Sequence, residues 1–169
     1  MHFRRLIAVC LSLVLLAGCN MISRQSTDIT DVPVNTQAAL AKTNAYRSRH
    51  GLPRLALDPR LNRASLDMAR LMARRDNSNP RTHSARGLSG RLSRSGVATY
   101  AGAENLGSGY TSFNKAFSGW TGSPDHNRNL LNKHVTRVGF ARVSRADGKW
   151  RNFWVMILAR PVEDGRPTL

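Results

Sequence analysis

Four side chains in the sequence are of types that can hold a metal, move a proton or orient a polar ligand: His83, Glu104, His126 and His134. The local sequence says most about His126. It closes the run Ser123-Pro124-Asp125-His126, in which serine suits an N-cap, proline the first helical position and aspartate the positive end of a helix dipole. His126 then falls at the third position of a short helix ending near Leu131. The positive helix end favours the neutral imidazole, the form that a metal or a hydrogen-bonded ligand requires. Two or three neutral imidazoles with one carboxylate suit Zn²⁺ or another divalent metal with an open coordination position. The same groups can instead polarise a water or hold a small polar ligand. Their spacings are not those of a compact metal motif such as HExxH, and a single histidine is more commonly a hydrogen-bonded structural group than a ligand. Ser84 adjoins His83, yet no nucleophile elbow or oxyanion loop accompanies it. Ser84 and Asn105 read as loop-fixing hydrogen-bond groups.

The elements that must position these residues follow from periodicity and punctuation. Phe113, Ala116, Phe117 and Trp120 repeat at i, i+3, i+4 and i+7, which predicts an amphipathic helix over 111–122 capped by Thr111 or Ser112. A first helix is expected over 37–50 and stops at Gly51. Asp58-Pro59 starts another that runs to Arg75, with Leu61, Ala64, Met68 and Leu71 or Met72 as its buried stripe, both methionines being core fill. Residues 76–80 are turn chemistry, and His83 lies in the loop beyond. A short helix over 88–95 and a strand over 97–101 precede Glu104. At the C-terminal end, 136–144 and 149–159 read as strands joined by an Ala146-Asp147-Gly148 turn. The run Phe153–Ala159 is apolar on both alternating faces, so the sheet must be covered on both sides. Trp150 and Trp154 read as packing residues. The class implied is α+β, a three-layer α-β-α sandwich with an antiparallel sheet.

Ala103-Glu104-Asn105-Leu106-Gly107, a helix bearing Trp120, the run SPDHNRNLL at 123–131 and the run HVTRVGFA at 134–141 occur in one order. That order resembles the CAP superfamily, which takes in cysteine-rich secretory proteins, insect venom antigen-five allergens, plant pathogenesis-related proteins and a large bacterial branch. The WxxSPxH pattern of Trp120–His126 is most similar to the bacterial branch. The resemblance spans 37–161, about three quarters of the chain, and implies the same three-layer fold. It also implies a central cavity described by two histidines and two acids. On the matching positions these are His83, Glu104 and His134, which makes His83 and His134, with Glu104, the implied metal ligands. The second acid lies three residues after the helix tryptophan, where this chain has Ser123. One carboxylate is thus removed from the implied set, and His126 stands three residues further on as a partial replacement.

The N-terminus has its own logic. Arg4 and Arg5 precede an apolar stretch over 6–16 that is short for a membrane span, as in a secretory leader. Leu16-Ala17-Gly18-Cys19 resembles the bacterial lipoprotein box, which implies cleavage after residue 18 and lipid on Cys19. Asn20, where aspartate resembles an inner-membrane retention signal, leans towards the outer membrane, facing the periplasm. Cys10 leaves with the leader, so the mature chain keeps no free thiol for a disulfide. Residues 19–36, polar and broken by Pro33, are expected to be a flexible tether. Residues 162–169 are expected to be a polar tail without an evident role.

The net charge is +16, from 26 Lys and Arg against 10 Asp and Glu, and the only lysines are Lys42, Lys115, Lys133 and Lys149. Arginine in such excess suits phosphate-bearing polyanions, but it is scattered, and no specific nucleic-acid module with stacking aromatics accompanies it. The expectation is a monomeric, lipid-anchored envelope protein that binds a lipid, a glycan, another anionic envelope ligand or a partner protein and is not an enzyme. The alternatives are a metal-dependent hydrolase of peptide, glycan or phosphodiester bonds, and an electrostatic binder of polyanions.

Overall fold

The computed structural model describes residues 28–167. The leader, Cys19 and the first part of the expected tether lie outside the described residues. Chain order is β1 (Ile29–Val32), α1 (Thr36–Arg49), β2 (Ala56–Leu57), α2 (Pro59–Arg75), α3 (Ala85–Arg94), β3 (Thr99–Ser108), α4 (Phe113–Gly122), α5 (Pro124–Leu130), β4 (Arg137–Arg145) and β5 (Asn152–Pro161), followed by a 3₁₀ turn over Val162–Asp164.

The sheet runs β1-β4-β5-β3, antiparallel throughout, and the two-residue β2 joins β4 in parallel. Strand β5 explains the layering. Phe153, Val155, Ile157 and Ala159 pack with Leu61, Met68, Met72, Leu88 and Leu92 of α2 and α3. The alternating Trp154, Met156 and Leu158 pack with Ala39, Phe117, Trp120 and Leu130 of α1, α4 and α5. One strand apolar on both faces therefore forces two helical layers, as its sequence requires. Helix α2 comes so close to β4 that a Cβ on Gly139 would collide with the backbone of Leu61 and Asn62. Asn62 Oδ1 accepts from Phe140 N at 2.9 Å across the same contact.

The helix starts carry the chemistry expected of them. Asp58 accepts from Arg60 N at 2.8 Å with Pro59 following, and Ser112 accepts from Lys115 N at 3.3 Å. Asp76 ends α2 in the left-handed region, φ 45°, and its carboxylate accepts from Lys149 N at 2.6 Å, which ties the β4–β5 turn to the helix end. Arg47 is wholly buried inside the layer of α1 and donates to the carbonyls of Pro53, Leu130 and Asn132 at 3.0, 2.8 and 2.9 Å. Burial lowers its pKa, and its bonds clamp the end of α5 onto α1.

Three sequence expectations change. Residues 29–32, assigned to the tether, pair with Arg142–Arg145 of β4, and Arg70 of α2 binds Asp31. This strand therefore starts seven residues before Thr36, within the expected tether. The start of the tail is tied back as well: Arg137 and Thr136 both bind Asp164, and the Arg137 guanidinium holds that carboxyl down to about 2. Strand β3, expected to end at 101, continues through Ser108. Glu104 and Asn105 break its apolar pattern because each is satisfied by a helix rather than by solvent.

Candidate functional site

Strand β3 is an outer strand, so one edge of it has no neighbouring strand. Glu104 and Leu106 are two residues apart and send their carbonyls to the same edge. Both carbonyls find side-chain donors from the α4–α5 layer: Asn129 Nδ2 to Glu104 O at 3.2 Å and Trp120 Nε1 to Leu106 O at 2.8 Å. Asn105, on the face opposite Glu104, accepts from Asn129 at 2.9 Å and donates to His126 O at 3.0 Å. The edge is thus sealed by α4 and α5, and the seal fixes where His126 stands.

The other face presents Glu104 to the α2–α3 layer. Its side chain is only 3% exposed, and Arg91 of α3, 4% exposed, donates through one guanidinium nitrogen to both carboxylate oxygens at 2.7 and 2.8 Å. His83, in the loop before α3, places Nδ1 2.9 Å from Glu104 Oε2. A carboxylate held by a guanidinium only accepts, so Nδ1 is the donor and Nε2 is left free. Ser84 caps α3 through Gly87 N at 3.2 Å, and Arg91 also donates to Thr82 O at 3.1 Å, which fixes the loop carrying His83 from both sides.

His83 and His126 therefore arrive from opposite helical layers at the C-terminal end of β3. They line a cleft of about 420 Å³ with Ser78, Asn79, Ser108, Tyr110 and Trp150. Ser108 Oγ is buried there without a partner. His126 Nδ1 lies 2.8 Å from Ser123 Oγ, which leaves its Nε2 unsatisfied as well. Ser123 makes no capping bond to α5, contrary to the expectation from Ser123-Pro124; its hydroxyl orients the imidazole instead. The pKa of His126 is lowered, first by burial and then by the nearby His83, with Asp125 opposing. The neutral form expected from the helix end is thus produced chiefly by desolvation.

His134 does not join this group. It lines a separate hollow with Tyr100, Ala101, Arg166 and Pro167, at the start of β3 rather than its end. The set His83, Glu104 and His134 is therefore not assembled, because the loop after α5 meets β3 beside Ala101, three residues before Glu104 and on the strand's other face. The remaining groups do not fit a divalent metal. Both Glu104 oxygens are engaged, and among the described residues no group of three or more His, Cys, Asp or Glu could hold one. The arrangement offers two imidazole nitrogens, a buried hydroxyl and two aromatic walls to a polar ligand. Sequence reasoning missed Arg91; Trp150, read as a packing residue, does pack against the core, and it lines the cleft as well. Arg91 was detectable, since it falls on the buried face of α3 between Leu88 and Leu92.

A family model described as "CAP: Cysteine-rich secretory protein family" matches residues 40–158. Among solved structures, an extracellular protein containing a SCP domain from Bacillus anthracis is 28% identical, with a TM-score of 0.61 over 73% of this chain. The chain covers only 39% of that protein's length. An outer surface protein from Borrelia burgdorferi is 18% identical with a TM-score of 0.67, over 78% of this chain and 98% of its own. A cysteine-rich secretory protein from Staphylococcus aureus is 20% identical with a TM-score of 0.56, over 76% of this chain and 41% of its own. The last two likenesses concern the fold alone. No curated protein matches the chain.

Because the folded pKa of His126 is lowered from 6.5, the unfolded chain binds that proton more readily. Its contribution to stability is complete above 6.5 and is lost as pH falls through that value towards the lower folded one. Urea melts of wild type and His126→Gln across this range should show a shallower acid slope in the variant, by up to about one proton. Identical slopes would remove His126 from the account.

Proposed function

The chain belongs to the CAP, or cysteine-rich secretory protein, family, and from that premise we propose that it is a lipid-anchored cell-envelope protein whose cleft binds an envelope glycan without catalysing its cleavage. The observation that carries the glycan reading is the lining of the cleft. Unpaired imidazole nitrogens on His83 and His126 and the partnerless Ser108 hydroxyl suit the hydroxyl and amide groups of a sugar. Tyr110 and Trp150 offer flat apolar faces to a pyranose ring. A lipid tail would find too many polar groups along the same walls. The case against catalysis is the state of Glu104. A carboxylate buried against Arg91 and His83 is not free to act as a general base, and the donor set does not support a metal-activated water.

The anchoring part of the proposal rests on Leu16–Cys19. It is supported by the extracellular description of the Bacillus protein. Placement in the outer membrane rests on Asn20.

Two outcomes are expected. Full-length protein purified in detergent should bind the disaccharide repeat of peptidoglycan in calorimetry, and His83→Ala or His126→Ala should weaken it at least about tenfold. His134→Ala, in the separate hollow, should leave the affinity unchanged; equal loss in all three variants, or no binding by wild type, defeats the glycan reading. Separately, wild type should partition into the detergent phase of a cloud-point extraction and Cys19→Ser into the aqueous phase. Indistinguishable partitioning would leave Cys19 without a lipid.

A further inference from the structure

A second concave surface lies between α2 and α3, outside the cleft. It encloses about 360 Å³ and is lined by Arg74 of α2, by Arg86, Arg91 and Arg94 of α3, and by Asp67, Leu71, Thr82, Gly87 and Gly90. Arg91 is neutralised by Glu104. Arg74, Arg86 and Arg94 are exposed, and none of the three has an acidic partner within ion-pair distance among the described residues. Asp67 is the one acid on the wall, and it acts on Arg70, which already holds Asp31.

The shape of the groove follows from two glycines. Gly87 sits against the Thr82 carbonyl, where a Cβ would collide with that backbone. A Cβ on Gly90 would lie 3.5 Å from an Arg94 guanidinium nitrogen. That contact lays the Arg94 side chain over the bare surface at Gly90, where both residues line the groove. Three arginines without an ion-pair partner among the described residues line one concavity, where like charges repel and Asp67 is the one acid on the same wall. Arg91 adds a donor, Nε, that is buried with no acceptor.

We propose that this groove binds a phosphate dianion, either free inorganic phosphate or the monoester headgroup of an anionic envelope lipid such as a phosphatidate. Guanidinium groups pair bidentately with the tetrahedral oxygens of phosphate, and more than one can share a single dianion. The volume leaves room for the group esterified to it. The hollows at the two ends of β3 hold one arginine between them, Arg166, which separates this concavity from the overall charge of +16.

The test is calorimetry on full-length protein in detergent, titrated with inorganic phosphate and, in a parallel arm, with glycerol phosphate as the soluble part of a phosphatidate headgroup. Arg86→Gln/Arg94→Gln removes two of the three uncompensated charges from exposed positions. Arg63→Gln/Arg75→Gln makes the same charge change on exposed parts of α2 outside the groove. The groove variant should bind at least about tenfold more weakly in whichever arm binds wild type, and the control should stay within about threefold. Binding in the phosphate arm alone identifies a free ion as the ligand; tighter binding in the glycerol phosphate arm identifies the headgroup. Equal weakening in both variants, or no binding by wild type in either arm, overturns the proposal.

Discussion

The candidate site depends on one buried carboxylate. Glu104 lies at 5% exposure in the middle of an outer strand, where an isolated charge would be prohibitively costly. Arg91 makes it tolerable by donating to both oxygens, and His83 takes up one more position on the same group. The pairing joins strand β3 to helix α3 and to the loop before α3. A side chain that holds those pieces together is poorly placed to exchange protons during turnover. It is well placed to give His83 a single orientation.

The opposite face of the same strand repeats the arrangement with neutral groups. Asn105, Asn129 and Trp120 satisfy the strand edge and hold α4 and α5 against it, and the chain of bonds ends on the backbone of His126. The two histidines thus reach the cleft through independent routes, one charged and one neutral, that share only β3. Residues Ala103–Leu106, which stand out in the sequence, are therefore first a joint between layers. The cleft forms where that joint runs out, at Gly107 and Ser108. A Cβ on Gly107 would press on the Tyr110 ring at 3.2 Å and on Trp120 Nε1 at 3.4 Å, so the wall of the cleft needs the missing side chain.

The three layers were legible before any coordinates because Phe153–Ala159 is apolar at both alternating sets of positions, and Asp58-Pro59, Gly51 and Ser112 mark helix ends by simple stereochemistry. The site was legible in part. His83 and Glu104 do meet, but His134 does not join them, since nothing in the spacing of HVTRVGFA says which end of β3 it approaches. Ser123 was read as a cap because serine before proline usually is one; the structure shows its hydroxyl on His126 instead. Arg91, the partner that holds Glu104, was not predicted, whereas Trp150 packs against the core as read and also lines the cleft. The pairing of Arg91 with Glu104 joins residues 13 apart in sequence, and nothing in the sequence specifies it. The same limit applies to Ile29–Val32, whose polar sequence hides an edge strand.

If Glu104 is a structural hub and not a reacting group, its energy should be coupled to Arg91. The direct measurement is a double-mutant cycle of unfolding free energies for wild type, Arg91→Met, Glu104→Leu and the pair. Removing Arg91 alone strands a buried carboxylate and should cost roughly 3–5 kcal/mol. Removing both should recover most of that loss, a coupling well above about 1 kcal/mol. Single losses that simply add would mean that Arg91 does not hold Glu104, and the account of the site would be wrong at its base.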